Sequence, residues 1–298
     1  MVRFRVEQRL NKFKHKAKLF KIYSGVIFTP TRRDNMKKII VITGASSGIG
    51  KEFAVQLDKI GGADEIWAIA RRLDRLEELK KILKTPVRPV SLDLSDVKNI
   101  ETYKKMLEDE TPDVKMLVNC SGYGKFDHYE NISPEVNQNM IDLNVKAVVG
   151  MVDATLPHIS KGGKIINIAS CAGFQPIPYI NIYAATKAFV LSYTRALNVE
   201  LGYKNITVTA VCPYWTKTEF FDRAIVKTEK AVVINYGVMY DAKKVVAKAI
   251  KDNAKGKDIS VYGGTNNFQK LGAKLLPHKL VMKIWCRRQK FNGTPDIR

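Results

Sequence analysis

Ile39-Ile40-Val41-Ile42-Thr43-Gly44-Ala45-Ser46-Ser47-Gly48-Ile49-Gly50 passes from an unbroken apolar run directly into a glycine-rich turn. The run over 39–43 predicts a strand buried on both faces, and residues 49–60 predict a helix behind the turn. Glycines at 44, 48 and 50 permit a tight turn and close backbone approach to a pyrophosphate, which would lie at the positive end of that helix. A plain structural turn competes with this reading. The strand before it and the helix after it favour nucleotide binding, although the spacing is GxxxGxG and not the commoner GxGxxG.

The same alternation continues outward. Apolar runs over 66–70, 87–92, 116–119, 164–169, 206–211 and 259–262 predict further strands. Helical stretches are expected over 73–83 and near 96–109, 134–160, 181–202 and 241–254. Strands alternating with helices predict an α/β fold with a doubly wound parallel sheet of about seven strands, covered by helices on both faces. Residues 36–265 are read as that one domain, between a basic N-terminal extension (1–35) and a basic C-terminal tail (266–298).

The flanks carry the charge. The 298-residue chain has 50 Lys+Arg against 29 Asp+Glu, a net of +21. Residues 1–35 account for +8 and residues 243–298 for +11, leaving +2 for the middle. That distribution argues against a nucleic-acid-binding core and leaves the basic ends as contacts for phosphate or anionic lipid. Four cysteines (Cys120, Cys171, Cys212, Cys286) show no CxxC pair, which reads as free thiols in a reducing compartment without a metal site. No apolar stretch reaches 18 residues, and lysines interrupt every apolar run near the N-terminus, so the cytoplasm is expected. Met36-Lys37-Lys38-Ile39 offers a second translation start, with residues 1–35 then untranslated.

About 20 residues beyond the turn, where an acid would hold the adenosine 2′-OH of NAD, stand Ala70, Arg71 and Arg72. Two guanidiniums suit a 2′-phosphate, so NADP(H) is expected over NAD(H), against the plainer reading of a solvated arginine pair. Asp93, ending the third strand, is a candidate acceptor from the adenine amino group or a charge at the next helix. Tyr183 and Lys187 lie at i and i+4 on one helix face, where an ammonium would lower the phenol's pKa toward a working range. Ser170 ends the preceding strand, at the edge where ligands bind in such sheets. A YxxxK pair alone is common; its order among the other motifs is what carries weight.

Thr43-Gly44-Ala45-Ser46-Ser47-Gly48-Ile49-Gly50, then Asn119-Cys120-Ser121-Gly122, Asn144, Ser170 and Tyr183-Ala184-Ala185-Thr186-Lys187 closely resemble the short-chain dehydrogenase/reductase family. The resemblance spans roughly 37–262 and implies a seven-stranded Rossmann sheet, a nicotinamide cofactor and hydride exchange between a carbonyl and a secondary alcohol. It implies that Tyr183 is the acid–base residue, that Ser170 orients the carbonyl, and that Lys187 lowers the tyrosine pKa and binds the nicotinamide ribose. Asn144 would hold a water linking Lys187 to solvent. Gly44, Ser46, Ile49 and Gly50 match the cofactor loop, Asp93 the adenine contact, Asn119 the strand-four motif and Thr218 the contact to the nicotinamide amide. The family also implies a homodimer or homotetramer. Two departures stand out: Asn119-Cys120-Ser121-Gly122 replaces Asn-Asn-Ala-Gly, and Tyr214-Trp215 replaces the glycine after Pro213.

Residues 219–240 occupy the family's substrate lid and are apolar, which suits a hydrophobic ketone (acyl, steroid-like or aromatic) and equally suits core packing. Over 266–291, Leu276, Leu280, Val281, Ile284 and Trp285 recur at helical spacing among lysines and arginines, with Pro277 near the start. This predicts a basic amphipathic helix, lying either on an anionic membrane at the inner surface or against protein. Val6, Leu10, Phe13, Ala17 and Phe20 suggest a similar helix at the N-terminus. The leading reading is an NADP(H)-dependent reductase of a small carbonyl or alcohol substrate. A non-catalytic NADP(H)-binding redox sensor or scaffold is the alternative, disfavoured by the intact Ser170, Tyr183 and Lys187.

Overall fold

Alternate residues of the first strand, β1 (Lys38–Thr43), enter two different cores. Ile39 and Val41 belong to one apolar cluster, Ile40 and Ile42 to another, because successive side chains of a strand point to opposite faces. The computed structural model describes residues 36–224 and 231–290. The basic stretch 1–35 and the end of the tail lie outside the described residues, as does part of the lid segment.

Six more strands form one parallel sheet with β1: β2 (Glu65–Ala70), β3 (Val87–Ser91), β4 (Asp113–Asn119), β5 (Ile159–Ile168), β6 (Thr207–Val211) and β7 (Ile259–Ser260), in the order β3-β2-β1-β4-β5-β6-β7. On one face pack α1 (Gly48–Ile60), α2 (Leu73–Ile82) and, from late in the chain, α8 (Ala242–Ala254), through residues such as Phe53, Leu76 and Val246. On the other lie α3 (Val97–Glu110), α5 (Ala147–Thr155) and α6 (Asn181–Glu200), through Tyr103, Met151 and Leu197. Tyr103 is fully buried against Trp67, and its hydroxyl pairs with Thr155 Oγ1 at 2.8 Å, so the polar end of a large core side chain is satisfied. The strand order reverses between β1 and β4, which opens a crevice at the carboxyl ends of the strands. The doubly wound Rossmann-type sheet expected from the sequence is therefore the fold.

The long helix expected over 134–160 is interrupted. It starts as α4 (Pro134–Ile141), passes through a π turn (Asp142–Lys146), resumes as α5 and ends in a 3₁₀ turn before β5. Such π turns widen a helix locally and concentrate at functional positions; this one contains Asn144.

The tail holds two helices. One absent from the expectation, α9 (Gly264–Leu275), stops at Leu276 and Pro277, where proline supplies no N–H to continue a helix, and the expected amphipathic helix follows as α10 (His278–Arg288) with Pro277 at its N-cap. The second of these packs back on the fold. Trp285 Nε1 donates to the Pro178 carbonyl (3.1 Å), Cys286 is buried, and Gln289 behind it is only 2% exposed. The Gln289 carboxamide accepts from the N–H groups of Ile234 (3.0 Å) and Asn235 (2.9 Å) and donates to the Asn235 carbonyl (3.0 Å). One side chain thus substitutes for a strand neighbour to the segment at 234–235. Gln289→Ala would strand two donors and an acceptor, each costing about 1–3 kcal/mol if water cannot reach it. A fall of several degrees in Tm is expected, and an unchanged Tm would show that this segment is held by something else.

Candidate active site

The turn after β1 is shaped by missing side chains. Gly44 and Gly48 have φ of +65° and +53°, the left-handed region where a Cβ is disfavoured. A Cβ at Gly50 would lie 2.2 Å from the Gly44 carbonyl oxygen, and one at Gly44 would lie 2.9 Å from the backbone of Cys120 and Ser121. The turn is thereby pressed against both α1 and the end of β4. Thr43 Oγ1 fixes that end by accepting from the N–H groups of Cys120 and Ser121 (both 3.0 Å). Ser47, at the N-cap of α1, makes no side-chain capping bond, and no acid occupies the first helical turn. The positive end of the helix is left for an anion. Glycine cradle and helix end together fit the pyrophosphate of a dinucleotide, and Gly44, Ser46, Ile49 and Gly50 all line the cleft above them.

That cleft has a volume of about 390 Å³ and gathers most of the residues singled out in the sequence. Arg71 and Arg72 stand at its edge. Arg71 pairs with Asp93 (3.5 Å). Burial pushes the Asp93 carboxyl up, but hydrogen bonds from the Ser95 hydroxyl and N–H, helped by Arg71, outweigh it and hold Asp93 below the usual carboxylate range. Arg72 donates to Ser46 Oγ (3.2 Å) and to Glu219 (2.9 Å), and Arg75 donates to the other oxygen of Glu219 (2.7 Å). The sequence around Arg72 shows no acid where one would repel a 2′-phosphate, yet the fold brings one in from 147 residues away.

Ser170, Tyr183 and Lys187 meet at the inner wall, all nine-tenths buried or more. Ser170 Oγ accepts from the Ala172 N–H (3.1 Å), which leaves its own proton free to donate. Lys187 Nζ donates to the Ile168 carbonyl (2.8 Å) and lies 5.7 Å from the centre of the Tyr183 ring. The expected lowering of the tyrosine by the ammonium does not dominate here. Burial pushes the Tyr183 hydroxyl well above its ordinary value, and the opposing hydrogen bond comes from Ser170. The same burial pulls Lys187 down to about 8. Desolvation disfavours the charged form of each, so Tyr183 keeps its proton at neutral pH.

Two expected site residues stand behind the cleft. Asn144 is fully buried in the π turn; its amide donates to the Tyr123 carbonyl (2.8 Å) and Thr186 Oγ1 (3.1 Å), and its oxygen accepts from Tyr123 N–H (3.0 Å). Thr186 in turn donates to the Tyr183 carbonyl (2.7 Å). The Asn144 side chain is thus committed to positioning α6. Asn119 donates to Asn167 Oδ1 (2.9 Å) and ties β4 to β5 below the wall formed by Cys120, Ser121 and Gly122. Thr218 faces the glycine turn, where a Cβ on Gly48 would come within 3.1 Å of it.

Sequence reasoning missed Phe126, which packs on Tyr183, and Gln175, which lines the cleft. Tyr183 packs among Phe126 and Phe220, with ring centres 5.9 and 5.5 Å away, and Trp215 extends the cluster to Phe221 and Tyr236. Val281, Ile284 and Trp285 of α10 complete the wall, so part of the tail's apolar stripe faces the cleft. Gln175 lines the same space, is 8% exposed, and its side-chain oxygen has no hydrogen-bond partner. Its polarity between Phe174 and Pro176-Ile177 was the available signal.

The family model described as short chain dehydrogenase matches residues 38–230. The chain is 35% identical over 179 residues to an uncharacterized oxidoreductase of Staphylococcus epidermidis, covering 59% of this chain and 77% of that one. It is 32% identical over 197 residues to the very-long-chain 3-oxoacyl-CoA reductase-B of Danio rerio, covering 63% and 62%. Among solved structures, a short-chain dehydrogenase from Sphingobium yanoikuyae in complex with NADPH superposes with a TM-score of 0.67 at 26% identity, covering 80% of this chain and 93% of that one.

The buried lysine makes a prediction that needs no substrate. Lys187 falls from an ordinary 10.5 to about 8 on folding, so between those pH values the unfolded chain holds a proton that the folded chain has released. Stability from this group therefore rises with pH across that window, and below it the buried ammonium carries a constant penalty. Relative to Lys187→Met, wild-type Tm should gain between pH 8 and 10. A difference that does not change with pH would place the lysine outside this description.

Proposed function

The chain belongs to the short-chain dehydrogenase family of oxidoreductases acting on alcohols and ketones, and on that premise we propose that it is an NADPH-dependent reductase of apolar ketones. One observation carries the reading: the glycine cradle and the buried Ser170, Tyr183 and Lys187 open into one cleft walled largely by aromatic and aliphatic side chains. The name of the Danio rerio relative, a very-long-chain 3-oxoacyl-CoA reductase, and the NADPH in the Sphingobium structure support the two finer parts. Residues 36–265 are the catalytic domain, and the tail from 266 roofs it.

Gly44, Ser46, Ile49 and Gly50 would hold the pyrophosphate of a nicotinamide cofactor, Arg71 and Arg72 its 2′-phosphate, and Thr218 and Lys187 its nicotinamide end; once bound, such a cofactor would supply the hydride. The chain's own residues supply the rest. Ser170 and Tyr183 donate to the ketone oxygen, which gains negative charge as the carbon is reduced; donors aimed at developing charge in a dry site are usually the largest catalytic contribution. Tyr183 then gives up the proton that burial has kept on it, which suits reduction. Lys187, cationic below about pH 8, stabilises the phenolate left behind. Asn144 acts through Thr186 to hold the helix bearing both. A redox sensor or scaffold would have no use for a desolvated proton donor at this place.

Exposed apolar side chains support two partner readings. Phe189 (43% exposed) and Tyr203 (78%) on and just after α6 suit a copy of the same chain, as a dimer or tetramer. Among the described residues no helix is long and apolar enough to cross a membrane. Phe268, Leu271 and Leu275 of α9 are nevertheless exposed among Lys270 and Lys274, which suits peripheral contact with an anionic bilayer. Full-length protein should co-sediment with anionic vesicles more than a Phe268→Ser/Leu271→Ser/Leu275→Ser variant, and equal sedimentation would remove the membrane contact.

For the chemistry, Tyr183→Phe keeps the ring among Phe126 and Phe220 and deletes only the hydroxyl. NADPH binding should stay within about twofold while ketone turnover falls by two or more orders of magnitude, the usual size of a lost proton donor. Near-normal turnover of any accepted ketone by that variant would remove Tyr183 from the mechanism.

A further inference from the structure

Glu219 sits where two functions meet. It follows Thr218, which packs on the glycine turn, and it immediately precedes the short helix α7 (Phe220–Ala224), whose Phe220 and Phe221 wall the substrate side of the cleft. Its carboxylate reaches the other way. One oxygen accepts from Arg72 Nη1 (2.9 Å) and the other from Arg75 Nη1 (2.7 Å), at the start of α2. Those guanidiniums hold the carboxylate below its usual range. An acid therefore occupies guanidinium N–H groups on the edge of the cleft where the cofactor's extra phosphate is expected, and that acid is the first residue of the lid.

The ion pairs are made to be exchanged. The Arg72, Arg75 and Glu219 side chains are 32%, 41% and 41% exposed, so water screens their attraction and the net stabilisation is small. A phosphate monoester carries more charge than a carboxylate and three acceptor oxygens, so it competes well for a pair of guanidiniums. Arg72 is also anchored to Ser46 of the glycine turn, and its position does not depend on Glu219 alone. Arg71 has its own partner in Asp93.

We infer that Glu219 is a placeholder for the 2′-phosphate of the cofactor: it occupies Arg72 and Arg75 in the free protein, and the arriving phosphate displaces it and so releases the head of the lid. This rests on the reading that Arg72 receives the 2′-phosphate, and it adds Arg75 as a second recipient and Glu219 as a residue that sets both cofactor selectivity and lid position. NAD(H), with a hydroxyl at that place, would leave the ion pairs intact. Cofactor identity is then reported to the substrate side of the cleft through one side chain.

The experiment uses the full chain and ligands that carry out no chemistry. Calorimetric affinities are measured for 2′,5′-ADP and 5′-AMP, and amide hydrogen exchange over 219–224 is followed with NADP⁺ and with NAD⁺. Glu219→Gln, close in shape and without the charge, removes the competitor. It should bind 2′,5′-ADP about 1.5-fold to fivefold more tightly, the range of one exposed charge pair, with 5′-AMP unchanged. In wild type, NADP⁺ should speed exchange over 219–224 relative to NAD⁺; in Glu219→Gln that difference should vanish. Unchanged or weaker 2′,5′-ADP binding by the variant, or equal exchange with both dinucleotides in wild type, overturns the placeholder. Arg72→Ala separates this from the premise: if it leaves 2′,5′-ADP affinity unaltered, the arginine reading itself fails and the inference goes with it.

Discussion

Everything in the cleft is built on a contact that tolerates no side chain. Gly50 presses on the Gly44 carbonyl, and Gly44 on the backbone at Cys120 and Ser121, so one turn is locked simultaneously to α1 and to the end of β4. These elements flank the point where strand order reverses, which fixes the crevice beneath the turn. A Cβ at residue 50, 2.2 Å from a carbonyl oxygen, would have to move backbone. The helix end that faces the cleft is consequently positioned by the sheet itself, with its capping residue making no competing side-chain bond.

The second requirement is dryness. Tyr183 and Lys187, beside the buried Ser170, are buried deeply enough that desolvation dominates their protonation, and it favours the neutral form of each. This differs from a scheme in which the ammonium alone activates the phenol. In the free protein burial keeps the Tyr183 hydroxyl protonated and lowers Lys187 to about 8. The geometry is maintained from behind, by Asn144 in the π turn through Thr186 to the Tyr183 carbonyl.

What could be read from the residues follows from how local the cause is. The central strands were legible because burial on both faces demands near-continuous apolar runs, whereas the edge strand β3 reads Val-Arg-Pro-Val-Ser with only Val87 and Val90 buried, and the glycine turn was legible because its constraint falls within seven residues. Ends were less so: β7 closes after Ser260, and the helix from Pro134 passes through a π turn that no periodicity marks. Ser170, Tyr183 and Lys187 could be found by order, and they converge. Glu219 could not, because its meeting with Arg72 spans 147 residues and depends on the sheet bringing β6 and β2 to one rim. The tail was half legible. Its apolar spacing and Pro277 marked α10, but α9 before it carried no such signal, and Trp285 and Gln289 turn inward to partners at 178 and 234–235 that spacing cannot name.

If the cleft serves hydride transfer onto an apolar ketone, with the protein supplying the proton, the two hydrogens of the new alcohol come from different sources. Supplying NADPH deuterated at the transferable position, with a panel of apolar ketones, and analysing the alcohol by mass spectrometry tests it directly. The account predicts an alcohol carrying one deuterium on the carbinol carbon and none exchanged from water at that carbon. Alcohol without the label there, or no alcohol from any ketone that binds, would contradict it.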